Sequence, residues 1–363
     1  MAVKKTGISR DLIIHPGETI ADVLEDRGIT QTELASRAGV SPAYVSNVLA
    51  GKKGISANFA MGLEYALGVP KSFWLNLQAN YESELLELNE EQTITDEERN
   101  AREALKDVIK YLRKTEKMPS RESKDASILS LRKALQISNI ANLKEMIPSG
   151  AFRMSSSTTV NPYVLGAWIR LCQIAGDSQI LSEKFDKSLT ADLIDAIKKI
   201  MCTKNADIQQ ELKKVLSSYG IDFSIVKNFR GAPVQGYISQ KEDDVYQMVL
   251  TIRGSFADIF WFSLFHEIGH IVNGDIRKTT KFVDDGCDQD KEAAADRFAK
   301  NMLLSPDSYT VFVQKGNFSI EAIKNYASSQ HVMPYIVIGR LQKEGRLSYN
   351  VYSDYKLRYK WAD

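Results

Sequence analysis

Three cysteines in 363 residues, Cys172, Cys202 and Cys287, are too few and too far apart for a disulfide framework or a thiolate metal pair. They read as free thiols in a reducing compartment. No run of 18 apolar residues occurs, so neither a transmembrane helix nor a membrane partner is expected. The opening Met1-Ala2-Val3-Lys4-Lys5-Thr6 lacks the apolar core of a secretory leader, and a cytoplasmic location is expected. Net charge is +1, so bulk charge does not announce nucleic acid. Apolar residues make up 44% of the chain, enough to build the cores of two or three domains.

Histidine is nearly as scarce as cysteine, with four in the chain, yet two of them sit four residues apart in Phe265-His266-Glu267-Ile268-Gly269-His270. Chance supplies roughly 0.003 such matches in a chain of this composition. On a helix, positions i and i+4 share a face, so both imidazoles can bind one zinc ion. Glu267 is then offset toward a metal-bound water, where a general base is needed. The flanking Phe260-Trp261-Phe262, Leu264 and Ile271-Val272 suit a helix buried through a core with its polar face on one cavity.

A catalytic zinc site wants a third protein ligand and one open position. The pattern with a third histidine six residues after the second is excluded, because Ile276 stands there. His15 and His331 are distant in sequence, so a carboxylate is the better ligand. Candidates are Asp275, Asp284, Asp285, Asp288, Asp290, Glu292 and Asp296. Glu292 is the first choice because residues 290–304 read as an alanine-rich helix that can approach the zinc helix closely. Asp296 is the next choice; one turn on and on the same face, it is placed to accept the free N–H of a ligating imidazole.

The first eighty residues carry an independent signal. Taking 31–50 as a helix-turn-helix, Ala35 falls where the helices cross and Gly39 at the turn, where positive φ is wanted. Leu34, Ala38, Val40, Val45 and Val48 take inward positions. Thr30 with Glu33 forms a capping box, and Ser41-Pro42 opens the second helix. The outward face then presents Ser41, Ala43, Ser46 and Asn47, with Tyr44 at its margin. These would meet base edges of an operator, while Gln31, Lys52 and Lys53 would hold phosphates. Eight Lys/Arg against seven Asp/Glu over residues 1–80 leave little non-specific attraction, so a dimer reading two half-sites is expected. Around the motif lie His15-Pro16-Gly17-Glu18 and Ser72-Phe73-Trp74-Leu75-Asn76-Leu77-Gln78-Ala79. Together these resemble the HigA-type antitoxin branch of the XRE, lambda-repressor-like helix-turn-helix proteins over residues 12–81. The resemblance implies an all-α five-helix DNA-binding domain that dimerises and often represses its own operon, with His15 in a structural role.

Residues 82–98 contain eight acidic side chains and no basic one, a solvated face rather than a binding site. Thr95 and Glu98 form a second capping box ahead of an amphipathic helix through Ala101, Ala104, Leu105, Val108, Ile109 and Leu112. Loop is expected over 148–150 and 155–159, and helix again over 161–218. Strands are expected only at 222–227, 234–239 and 245–252, just before the zinc helix. Three short antiparallel strands leading into that helix make an α+β, zincin-like domain whose edge strand can pair with an extended peptide. The organisation read from these signals is a DNA-binding domain at 1–81, a charged helical connector at 82–150 and a zinc domain at 151–363, with its catalytic core at about 220–310.

Trp261 to His270, followed by Glu292, Ala295-Asp296-Arg297-Phe298-Ala299 and Leu303-Leu304-Ser305-Pro306, resembles the ImmA/IrrE metallopeptidase family. Ala167-Trp168-Ile169-Arg170 and Ile338-Gly339-Arg340-Leu341-Gln342 are similar to the branch with a helix-turn-helix in front. The resemblance implies a zinc endopeptidase that cleaves a repressor, an antitoxin-type protein or itself. One departure stands out: Ala294 occupies a position that is commonly acidic in the family. In such a mechanism Glu267 moves the proton, and Tyr326 or His331 is a candidate for stabilising the developing oxyanion. The alternatives are a non-enzymatic HigA-like antitoxin or repressor whose zinc domain is structural, and a sensor in which a ligand at the zinc alters operator affinity.

Overall fold

The computed structural model describes residues 13–147, 160–176, 181–204, 207–252, 255–276, 282–283 and 289–360. The chain divides into two compact units between Thr95 and Asp96, inside the stretch expected to act as a connector.

The first unit contains α1 (Pro16–Arg27), α2 (Gln31–Ala38), α3 (Pro42–Leu49), α4 (Ala57–Leu67) and α5 (Lys71–Asn89). Local chemistry sets most of its boundaries. His15, Thr30, Ser41 and Ser56 cap the first four helices with side-chain acceptors, and Gly28, Gly39 and Gly68 end α1, α2 and α4 in the left-handed region. Ile20, Leu34, Val45, Val48, Phe59, Leu63 and Trp74 fill a common core. The buried Gln78 amide oxygen accepts from Ile55 N–H at 2.8 Å, fixing the loop before α4 onto α5.

In the second unit come α6 (Asp96–Ala104), α7 (Lys106–Lys114), α8 (Lys124–Leu135), a 3-10 segment (Ile140–Met146), α9 (Pro162–Gly176), α10 (Thr190–Cys202) and α11 (Ile208–Ser217). The single amphipathic helix expected across Ala101 to Leu112 is instead broken at Leu105. There the backbone turns out of the helix (φ −89°, ψ 15°) and the amide is shared between the Ala101 and Arg102 carbonyls. Apolar spacing continues unbroken through this point, so periodicity does not reveal the break. Glu98 is fully buried; its carboxylate accepts from Arg132 at 2.6 and 2.9 Å and from Ile140 N–H at 3.1 Å.

A four-stranded sheet follows, built from β1 (Ile221–Ile225), β2 (Gly236–Glu242), β3 (Val245–Leu250) and β4 (Phe282–Val283) in the order β1-β3-β2-β4. β2 and β3 form the expected antiparallel hairpin, with Gly236 opposite Leu250, and β4 pairs antiparallel with β2. β1, however, runs parallel to β3, with Ile221 opposite Tyr246 and Ile225 opposite Leu250. The small sheet is therefore mixed, not antiparallel. The reason is topological. The tight turn at Asp243-Asp244 leaves β2 on one side of β3, and residues 226–235 carry the chain across so that β1 takes the other side.

Against this sheet packs α12 (Ala257–Asn273), joined by α13 (Gln289–Leu303), α14 (Pro306–Gln314), α15 (Ile320–Ser329) and α16 (Pro334–Lys343). α12 lies in the middle of the core: Phe260, Trp261, Leu264, Phe265, Ile268 and Ile271 are all buried. Among the described residues no helix is long and apolar enough to cross a membrane. The expected loops at 148–150 and 155–159, and Cys287, lie outside the described residues.

Glu98→Ala is expected to lower the unfolding free energy by about 3–5 kcal/mol, because it removes the acceptor from a buried ion pair and from a backbone amide. Urea unfolding checks this, and a loss below about 1 kcal/mol would show the pair to be dispensable.

Candidate functional site

In the first unit, α2 and α3 bury Leu34, Ala35, Val45 and Val48, with Ala38 and Val40 packed at the margin. Gly39 turns between them at φ 69°. Ser41 Oγ accepts from Tyr44 N–H at 3.2 Å and opens α3. Ser41, Ala43 and Ser46 are exposed and Asn47 is half-buried, so the face expected to meet bases is open. Tyr44 is held back against the domain: its ring packs edge-on to Phe59, its hydroxyl meets Ser56 Oγ at 3.2 Å, and Lys53 lies over it. Gln31, Lys52 and Lys53 are exposed on the same unit. His15 caps α1 by accepting from Gly17 N–H at 2.9 Å and packs edge-on to Tyr81, a structural placement. Burial holds its imidazole below the usual pKa.

The second unit gathers the other candidates around α12. His266, Glu267 and His270 are buried despite their polarity, with Glu267 1% exposed and His270 fully enclosed. α13 approaches α12 closely, because a side chain at Gly269 would press on the Ala295 backbone and on Phe298. That approach brings Glu292 Oε2 to 3.1 Å from His266 Nε2 and Glu292 Oε1 to 3.5 Å from His270 Nε2. The two Nε2 atoms are themselves 3.1 Å apart. Asp296, one turn along α13, meets the other nitrogen of His266 at 3.0 Å. The imidazole beside it holds the Asp296 carboxyl below the usual carboxylate range.

Asp275 is placed by the end of α12. Gly274 caps the helix at φ 74°, and the Asp275 amide returns to the His270 carbonyl at 3.0 Å. The Asp275 carboxylate thereby reaches His270 Nδ1 at 2.9 Å. It supports a histidine and stands outside the convergent set.

Ionised carboxylates accept hydrogen bonds and donate none, so a hydrogen on each Nδ1 would satisfy Asp296 and Asp275. With both rings neutral, the two Nε2 lone pairs and a carboxylate then point at one another. A cation relieves that opposition. Among the described residues His266, His270 and Glu292 form a group able to hold a metal, with ligand atoms within 4.8 Å of one another. Tetrahedral zinc with bonds of about 2.0–2.1 Å spaces its ligand atoms about 3.3 Å apart. The 3.1 Å between the two Nε2 atoms and the 3.1 Å from His266 Nε2 to Glu292 Oε2 fit it, while the other oxygen of Glu292 stands 3.5 Å from His270 Nε2.

Of the remaining candidates, Asp290 is exposed at the start of α13, while Asp284, Asp285 and Asp288 lie outside the described residues. Tyr326 stacks on Phe312 at 4.3 Å and lines a separate cleft of about 510 Å³. His331 lines another, beside Cys202 and Lys198. Neither side chain makes a described contact with the histidine pair.

Residues 20–74 match the family model described as helix-turn-helix. The chain is also 30% identical over 64 residues to the uncharacterized HTH-type transcriptional regulator YddM of Escherichia coli (strain K12), covering 18% of this chain and 68% of that protein. The chain belongs to the helix-turn-helix family. It is 42% identical over 69 residues to Virulence-associated protein A' of Dichelobacter nodosus, 19% of this chain and 60% of that protein. A solved HigA-family addiction module antidote protein from Coxiella burnetii is 31% identical, with a TM-score of 0.21, and the match covers 23% of this chain and 95% of the other. These likenesses each span about a fifth of the chain.

Asp275→Asn and Asp296→Asn are each expected to weaken zinc binding about 10–100-fold, since an asparagine no longer fixes the imidazole as a carboxylate does. Competition against a chromophoric chelator measures this; unchanged affinity in both variants would contradict the roles given to these acids.

Proposed function

We propose that the chain is a DNA-binding regulator that carries a zinc-dependent endopeptidase in its second unit. The observation that carries the peptidase half is the convergence of His266 Nε2, His270 Nε2 and Glu292 on one point, with Glu267 adjacent on the same buried helix. Three protein ligands leave a fourth position for water, the arrangement of catalytic rather than structural zinc. The chemistry zinc supplies in such a site is Lewis-acid activation of a water and of the peptide carbonyl.

The protein residues then divide the work. His266, His270 and Glu292 hold the ion, and Asp296 and Asp275 accept the Nδ1 hydrogens so that both Nε2 lone pairs face inward. Glu267 takes the proton from the attacking water on its carboxylate and delivers it to the leaving amine. Burial of α12 excludes bulk water from these transfers. The DNA half rests on the helix-turn-helix face, where Ser41, Ala43, Ser46 and Asn47 would read bases in the major groove and Gln31, Lys52 and Lys53 would contact phosphates. A homodimer on paired half-sites supplies the affinity that so weakly charged a unit lacks. The substrate is a protein of the repressor or antitoxin type, or a second copy of this chain.

The test mixes the zinc-loaded protein with itself and with the proteins encoded beside it, and identifies fragments by mass spectrometry. Cleavage by the native chain is expected to fall about 10²–10⁴-fold in Glu267→Gln, with zinc content and operator binding retained. Asn47→Ala is expected to weaken operator binding by about 1–3 kcal/mol without changing cleavage. Zinc uptake and operator binding without fragments from any mixture would overturn the peptidase reading, leaving a repressor with a structural or sensory ion.

A further inference from the structure

Gly236, the first residue of β2, lies against the Glu267 carboxylate. A Cβ built there would overlap Glu267 Oε1 and stand 2.8 Å from its carboxyl carbon and 3.3 Å from its Cγ. All three nearest atoms belong to that one side chain, so any added methyl group acts on Glu267 before anything else.

The backbone around Gly236 has little room to yield. Its neighbour Gln235 is fixed on both sides: the carbonyl accepts from Thr251 N–H at 2.9 Å, and the side-chain oxygen accepts from Ser263 Oγ–H at 2.8 Å. Ser263 is itself on α12, one turn before His266, so this bond ties the start of β2 to the helix that carries the site. Gly236 in turn pairs with Leu250 of β3. With β2 held between β3 and α12, the flexible end of Glu267 is the part that must move. Nothing about the backbone at Gly236 requires glycine, since its φ lies outside the left-handed region. The missing side chain is a matter of space alone.

We infer that Gly236 is a positioning residue for the general base: its bare Cα forms the floor on which the Glu267 carboxylate sits, and a methyl group there would displace the carboxylate from the water it deprotonates. The inference rests on the peptidase reading above, and it assigns β2 a role in the chemistry in addition to its role in the sheet. The residues that hold the ion are untouched by the change.

The experiment is a double-mutant cycle in the full-length protein, pairing Gly236→Ala with Glu267→Ala and with the shorter Glu267→Asp. Three readouts are taken: zinc stoichiometry, thermal unfolding of the zinc-loaded protein, and cleavage where the native chain cuts. Gly236→Ala is expected to bind one zinc per chain and to lower the unfolding temperature. That loss is expected to vanish in the Glu267→Ala background, where the overlap is gone. Cleavage by Gly236→Ala is expected to fall about 10²-fold in kcat with KM little changed, and the penalty of Gly236→Ala should shrink in the Glu267→Asp background. Strictly additive unfolding shifts, or native kcat in Gly236→Ala, would overturn the inference. Absence of cleavage by the native chain would overturn the peptidase reading instead, and the unfolding cycle would still decide whether Gly236 seats Glu267.

Discussion

Two imidazole nitrogens 3.1 Å apart, both facing one carboxylate, are the constraint on which the rest of the second unit depends. Asp296 and Asp275 stand 3.0 and 2.9 Å from the outer nitrogens of the two rings, and in the proposed zinc site they would accept those N–H groups and leave the inner nitrogens as acceptors. In the proposed site a divalent cation would offset the cost of bringing two imidazole lone pairs and a carboxylate together in a buried place. The second unit is arranged to hold α12 still around this point. Lys356 pairs with Asp258 at 2.7 Å at the start of the helix, and Tyr359 accepts from the Trp261 indole at 2.8 Å. Gly274 then closes its far end and delivers Asp275.

Several of these features are legible in the sequence because they are local. A capping threonine, a left-handed glycine and a serine before proline each act within four residues, and the helix-turn-helix follows from them together with the spacing of Leu34, Ala35, Val45 and Val48. The i, i+4 histidines are legible for the same reason. Glu292 and Asp296 require one long-range step, from the small residues of α13 to its close contact with α12, and helical spacing then puts both acids on one face.

What stays hidden depends on contacts between distant segments. Alternation along β1 identifies a strand but carries no information about its partner, so its parallel pairing with β3 could not be read. The break at Leu105 leaves apolar spacing intact and is invisible to periodicity. Asp275 is a candidate ligand by sequence; its neighbour depends on the direction of the chain after Gly274, which one glycine among 21 does not announce. Gly236 gave no signal, because the space it leaves matters only once β2 lies beside Glu267.

We propose that the second unit is built around one divalent ion. The most direct test is elemental analysis of full-length protein purified without chelators, beside a His266→Ala, His270→Ala variant handled identically. One zinc per native chain, absent from the variant, is the predicted result. A native chain that neither contains nor takes up a transition metal, or a variant that retains its full complement, would contradict it.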